Sequence, residues 1–212
     1  MAEPKEQATR LVVVGEGIVR WSVRESRIGG APGESYAIRR SMEQVLIDPL
    51  PLAPAALERL EAGGRISAIV LTIQSHQRAA WRYAKRFGVP VLAPKGSQGL
   101  DGTPDRFYRA GEELPLGLTP IALPGPAFSA HGLLWRSGKG SASVLFCGDL
   151  ITRTGGRLRL VPDQYMDAPD QARASLRGLL ARDIGVLCPG HGAPLLKEVR
   201  EGLSRLVASQ AS

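Results

Sequence analysis

Two short apolar runs in the C-terminal half each end in a turn that presents one potential metal ligand. Val144-Leu145-Phe146-Cys147-Gly148-Asp149 closes on a carboxylate, and Ile184 to Leu187 leads into Cys188-Pro189-Gly190-His191-Gly192. Each reads as a strand followed by a turn. The question they raise is less which sheet they belong to than whether the turns still hold a cation together.

The remaining pattern gives those turns a frame. Leu11 to Val14 and Ile18 to Val23 read as strands around a bend at Gly15, Gly29 to Glu34 as a turn, and Ser35 to Arg39 and Glu43 to Ile47 as two more strands. Pro54 to Glu61 is a predicted helix stopped by Gly63-Gly64. Ile66 to Leu71 is an apolar strand suited to burial on both faces. A predicted helix from Gln77 to Phe87 ends at Gly88, and Val89 to Ala93 completes a β-α-β unit. A polar loop with a short strand at Arg106 to Arg109 follows. Leu118 to Leu123, Leu133 to Arg136 and Ser143 to Phe146 are predicted strands. Asp167 is the expected N-cap of a helix running to Ala181, with Pro169 in its first turn. Ile184 to Leu187 is the last predicted strand, and Leu195 to Ala208 a closing helix. The expected organisation is an N-terminal tail, residues 1–10, and a single domain, residues 11–212.

Composition narrows the setting. The 212 residues suffice for one compact core, and 43% hydrophobic with 22% charged residues is ordinary for a globular protein. No run reaches the ~18 apolar residues of a membrane span. The first residues, Met1 to Glu6, carry both charge signs and no apolar leader, so the expected location is cytoplasmic. Two cysteines make no disulfide framework. The net charge is +7, with Arg supplying 22 of 27 basic residues. Those arginines are dispersed and not interleaved with aromatics, so no specific nucleic-acid partner is expected.

Four strand ends carry a resemblance. Val45-Leu46-Ile47-Asp48-Pro49, Leu71-Thr72, Phe146-Cys147-Gly148-Asp149 and Pro189-Gly190-His191-Gly192 occur in the order found in the metallo-β-lactamase superfamily. Each is weak alone. Together they resemble that superfamily from about Leu11 to the C-terminus. The resemblance implies an α/β fold, the αββα sandwich of two mixed sheets flanked by helices. It also implies a metal site at the sheet edges, usually holding two zinc ions. In the superfamily an H-x-H-x-D-H loop, a later histidine, a bridging aspartate and a final histidine hold the metals, each zinc needing about three protein groups and an open position.

Placed on this chain, the loop after Thr72 reads Ile73-Gln74-Ser75-His76-Gln77-Arg78. The resemblance puts Ile73, Ser75, Gln77 and Arg78 at the four ligand positions and Pro126 at the later one. Only Asp149 and His191 keep their types. The main expectation is therefore a degenerate site without a cofactor, in a hydrolase-like pseudoenzyme that binds or scaffolds an unknown small molecule or protein. The alternative is a hydrolase of an ester, thioester, lactone or phosphoester that holds zinc or another divalent metal on a rewired set, His76, Asp149 and His191. A nucleic-acid-processing role is a further alternative, favoured only by charge.

Asp48, Ser75, Arg78 and His131 are expected to line the cleft. Asp48 also suits a structural role at its strand end, bonding nearby amides. Arg78 is expected either to pair with Asp149 in place of a lost metal or to lie on a helix surface. His76 either joins the rewired set or precedes the helix and faces solvent. Cys147 and Cys188 are expected as buried thiols, and Trp81 and Trp135 as packing residues.

Overall fold

The computed structural model describes residues 3–26 and 30–210. Its first sheet runs β1 (Val12–Gly15), β2 (Ile18–Glu25), β3 (Ala31–Arg40), β4 (Glu43–Ile47), β5 (Arg65–Val70), β6 (Val91–Pro94) and β7 (Arg106–Tyr108), in that spatial order. Pairing is antiparallel from β1 to β4 and parallel from β4 to β7. Helices α1 (Pro54–Glu61) and α2 (Ala80–Phe87) make the parallel crossovers. The second sheet contains β8 (Thr119–Ala122), β9 (His131–Trp135) and β10 (Val144–Phe146), with β13 (Val186–Cys188) parallel to β10 at its edge. Between them lie the hairpin β11 (Ile151–Thr154) and β12 (Arg157–Leu160) and helix α3 (Pro169–Leu179); α4 (Val199–Ala208) closes the chain.

The unbroken apolar runs follow from this layering. Successive residues of a strand point to opposite faces, and here both faces are covered. Leu46 and Ile69 face α1 and α2 with Leu60 and Tyr83. Their neighbours Ile47 and Val70 face the space between the sheets with Leu133 and Phe146. On the far side Leu145 and Leu187 pack on Leu176 and Leu203 of α3 and α4. Three apolar layers between four structural ones make an αββα sandwich.

Several local expectations are revised. The predicted turn at Gly29 to Glu34 begins outside the described residues at Gly29, and from Ala31 the chain is already strand. The segment before β1 is anchored: Ala8 is buried and bridges Leu52, and Glu3 pairs with Arg82. Asp167 does not cap α3, whose N-cap is Ala168; the Asp167 carboxylate accepts the Phe128 N–H instead. Leu195 lies outside α4 because its backbone pairs with Leu187. The β11–β12 hairpin, with alternating Arg and Leu, had no strong apolar run to announce it.

Topology brings the ends of β4, β5, β10 and β13 to one edge of the sandwich. His191 closes that edge, bridging Gly33 on β3 and Thr152 on β11. Gly192 makes this possible at φ +89°, where a β-carbon would stand 2.0 Å from the Arg153 carbonyl oxygen. Gly192→Ala combines a left-handed strain with a backbone clash and is expected to destabilise the protein by about 1–3 kcal/mol. The shift of the urea midpoint measures this, and an unchanged midpoint would contradict it.

Candidate metal centre

Asp48 leaves β4 at φ +49°, a conformation that aspartate tolerates better than most residues. Its carboxylate accepts the Thr72 N–H at 2.7 Å and the Thr72 hydroxyl at 2.5 Å. The structural role expected of Asp48 is thus visible, and it carries a second function. Asp48 Oδ2 accepts a hydrogen bond from His76 Nδ1 at 2.9 Å. His76 sits in a 3-10 turn, Gln74–Gln77, and is 2% exposed. It neither caps a helix nor faces solvent. Its ring lies where any side chain on Gly190 would stand: a β-carbon there would come within 2.6 Å of His76 Cε1.

With Nδ1–H committed to Asp48, the other ring nitrogen faces Asp149. His76 Nε2 and Asp149 Oδ1 are 2.9 Å apart, yet both are buried without a partner at a hydrogen-bonding angle. His191 repeats the arrangement. Its Nδ1 donates to the Pro32 carbonyl at 3.0 Å, and its Nε2 lies 3.2 Å from the same Asp149 oxygen. Because the carbonyl and carboxylate partners only accept, both Nδ1 atoms carry hydrogen, and in the neutral tautomer both Nε2 atoms present lone pairs. The Ser75 hydroxyl donates to Asp149 Oδ2 at 3.3 Å, which leaves Oδ1 turned inward.

With His76 neutral, three acceptor atoms crowd one another, a condition that a divalent cation would resolve. The donors of His76, Asp149 and His191 lie within 4.8 Å of one another. Ligands about 2.0–2.1 Å from a shared metal stand roughly 2.9–3.4 Å apart, so the two short contacts suit such a set. The carboxylate–imidazole contact behind His76 is the usual support for a ligating histidine. Exposure is graded across the trio, 3% for the His76 side chain against 17% for Asp149 and 19% for His191. One side is closed by protein and the other open to a reactant.

The other expected residues divide. Arg78 does not pair with Asp149. Its guanidinium is buried behind the site, donating to the carbonyls of Glu34 (2.8 Å) and Asp48 (3.2 Å) and lying 3.2 Å from the Glu25 carboxylate. The reason is the backbone: at φ +34° Arg78 breaks between the 3-10 turn and α2, turning its side chain toward β2 and β3. His131 bonds the Ser129 carbonyl through Nδ1 and packs edge-on against Tyr108. Ile73 is buried with Ala127 and Ala130 in a small apolar cluster, so hydrocarbon occupies the surroundings of the first lost ligand position. The amide of Gln77 faces Gly99, Asp101 and Trp81. Both cysteines are buried, and burial pushes their thiols up, Cys147 to about 12, so neither suits a nucleophile.

Electrostatics centre on the same imidazole. Burial acts most strongly on His76 and disfavours its charge, as does nearby Arg78; Asp149 and Asp48 together outweigh them and raise it from 6.5 to about 9. Burial likewise opposes the Asp149 anion, but the two imidazoles hold its carboxyl well below the usual range. These shifts are two sides of one interaction. A protonated His76 bridges two carboxylates, and a metal held at its Nε2 would have to displace that proton.

Comparison with known proteins agrees with this architecture. The family model described as Metallo-beta-lactamase superfamily matches residues 18–210. The chain belongs to the metallo-β-lactamase superfamily. Among solved structures, DIM-1 metallo-β-lactamase superposes with a TM-score of 0.77 at 16% identity, over 98% of this chain and 100% of that one. A metallo-β-lactamase from Pontibacter korlensis gives 0.76 at 17%, over 95% and 98%. A metallo-β-lactamase family protein from Thermus thermophilus gives 0.70 at 17%, over 94% and 81%. At such identities the likeness concerns the fold. A search of curated proteins gave no match. Among the described residues, no helix is long and apolar enough to cross a membrane.

The superfamily resemblance pointed to the positions of Asp149 and His191, and the histidine scarcity of the chain pointed to His76. The Asp48 contact to His76 had no sequence signal beyond the Asp-Pro strand end. Two outcomes follow. In metal-free protein His76 binds its proton more tightly when folded, with a raised value of about 9 against 6.5. Its contribution is complete below pH ~6.5 and is lost as pH rises through ~9, by about 3 kcal/mol. Urea midpoints in chelator should fall over that window and do so much less in His76→Gln; a flat profile for the parent would contradict the ion bridge. Arg78→Met removes the cation beside buried Glu25 and should cost about 3 kcal/mol or more. A double-mutant cycle with Glu25→Gln should give coupling above ~1 kcal/mol, and its absence would contradict the assigned pairing.

Proposed function

We propose that the chain is a metal-dependent hydrolase built on a mononuclear site, with His76, Asp149 and His191 as ligands and zinc or another divalent ion as the metal. The observation that carries this reading is the convergence of His76 Nε2, Asp149 Oδ1 and His191 Nε2, the first two buried and meeting no hydrogen-bond geometry. A bound divalent metal supplies Lewis acidity and activates water at neutral pH. The chain's own residues prepare the site. Asp48 fixes the His76 tautomer, Pro32 fixes that of His191, and Ser75 orients the Asp149 carboxylate. Arg78 holds the Asp48 carbonyl, and with it the left-handed turn that aims the Asp48 side chain.

Substrate class follows from chemistry shared across the fold, an ester, thioester, lactone or phosphoester, and the fold does not choose among them. Dispersed arginines support a small molecule or protein as partner over a nucleic acid. The second reading is a metal-free binding or scaffold protein. What favours it is the raised proton affinity of His76, which lets the imidazolium itself balance Asp48 and Asp149.

Elemental analysis of protein purified without chelators separates the two. The metal reading expects about one equivalent of zinc, iron or manganese, lost in His76→Ala and in His191→Ala. Metal well below one equivalent, with no uptake from added zinc, would leave the scaffold reading.

A further inference from the structure

A second concentration of polar groups lies at the opposite end of the sandwich, away from the candidate metal centre. A cavity of about 510 Å³ opens there between the end of β3, the start of β8 and the β9–β10 connection. Its lining includes Arg40, Arg136 and Arg182, the hydroxyl residues Thr119 and Ser143, and a single acid, Asp183.

The donors outnumber the acceptors. Arg40 donates to the Arg136 carbonyl at 2.7 Å, and Arg136 donates to the Ser141 carbonyl at 2.7 Å; these bonds tie both side chains to the β9–β10 connection. Neutral carbonyls orient the cations without cancelling their charge. The one ion pair, Arg136 to Asp183 at 3.3 Å, involves a carboxylate 88% exposed, where water screens the attraction. Among the described residues, Arg182, Thr119 and Ser143 make no side-chain hydrogen bond or ion pair. Three guanidiniums against one carboxylate leave a surplus of two positive charges in one concave site.

The three guanidiniums are solvent-exposed, so water screens their mutual repulsion, and they are free to turn toward an anion that all three could share. The complementary ligand accepts hydrogen bonds without donating, carries about two negative charges and offers several oxygens at once. Guanidinium forks match the oxygen spacing of a phosphate, and the volume exceeds what a bare phosphate fills. From these features we infer that this cavity is a binding site for a phosphate-bearing small molecule, independent of the metal centre. Arg182 and the hydroxyls of Thr119 and Ser143 supply contacts the protein leaves unused. Arg40 and Arg136 form the fixed part of the cradle.

The test is calorimetric titration of the full chain with inorganic phosphate and with pyrophosphate, at constant ionic strength near ~150 mM so that general screening is unchanged. Saturable one-to-one binding is expected. It should weaken about tenfold or more in Arg182→Ala, the effect of losing one charge-assisted contact. Arg182 and Thr119 are not core residues, so Arg182→Ala and Thr119→Val should keep the parent's melting profile, and Thr119→Val should also weaken binding. Binding should persist in His191→Ala. Three results would overturn the inference: no saturable heat up to ~10 mM of either anion, far weaker than an organised site; equal affinity in parent and both cavity variants, which marks adventitious ion binding; or loss of binding in His191→Ala, which places the anion at the metal centre.

Discussion

Asp48 and Asp149 approach one imidazole from opposite sides, and the functional edge of the protein is organised around that line. Asp48 and the His76 ring are buried and Asp149 is only 17% exposed, so two carboxylates on one ring call for compensating charge. A proton on His76 can provide it, and under the proposed reading a divalent cation would take that role. Each participant comes from a different strand end: Asp48 after β4, His76 after β5, Asp149 after β10, and His191 after β13. Moving any of them by one residue would break the line. Two positive-φ residues, Asp48 and Arg78, sit in the same cluster and are joined by a hydrogen bond. Such backbone conformations cost about 1–3 kcal/mol each and persist where surrounding bonds over-determine them.

The apolar cluster of Ile73, Ala127 and Ala130 gives this member its own character. The resemblance assigns Ile73 to a histidine position and Pro126, next to Ala127, to another. A cation needs polar donors, and hydrocarbon offers none. On the proposed reading, packing takes the place of one half of a two-metal arrangement, and His76 would serve the other from a position the resemblance leaves without a ligand. Arg78, at the last position of that loop, is turned away from the cleft and braces the turn from behind.

How much of this was readable beforehand depended on the range of the interaction. Strands such as Glu43 to Ile47 and Ser143 to Phe146 announce themselves, because burial on both faces demands consecutive apolar residues. The order of the four strand-end motifs carried the fold. His76 emerged as a candidate only because histidines are few. Its burial depends on Gly190, more than a hundred residues away, and on a backbone break at Arg78 that no local propensity predicts. The Arg78–Glu25 contact is illegible for the same reason: the helical pattern from Gln77 to Phe87 left Arg78 either paired with Asp149 or on a helix surface, whereas the helix starts at Ala80 and the arginine precedes it. Leu195 was expected to open the closing helix, but pairing with Leu187 decided otherwise.

Nitrogen-15 NMR of the histidine rings during zinc titration tests the central claim most directly, since the chain has three histidines and each has a distinct environment. The account predicts that one equivalent of zinc shifts the Nε2 signals of His76 and His191 to metal-bound positions, with Nδ1 protonated in both. His131 should be unaffected. If His76 keeps protons on both nitrogens in excess zinc while the protein stays folded, its ring is a permanent ion bridge between two aspartates, and the metal centre as described does not exist.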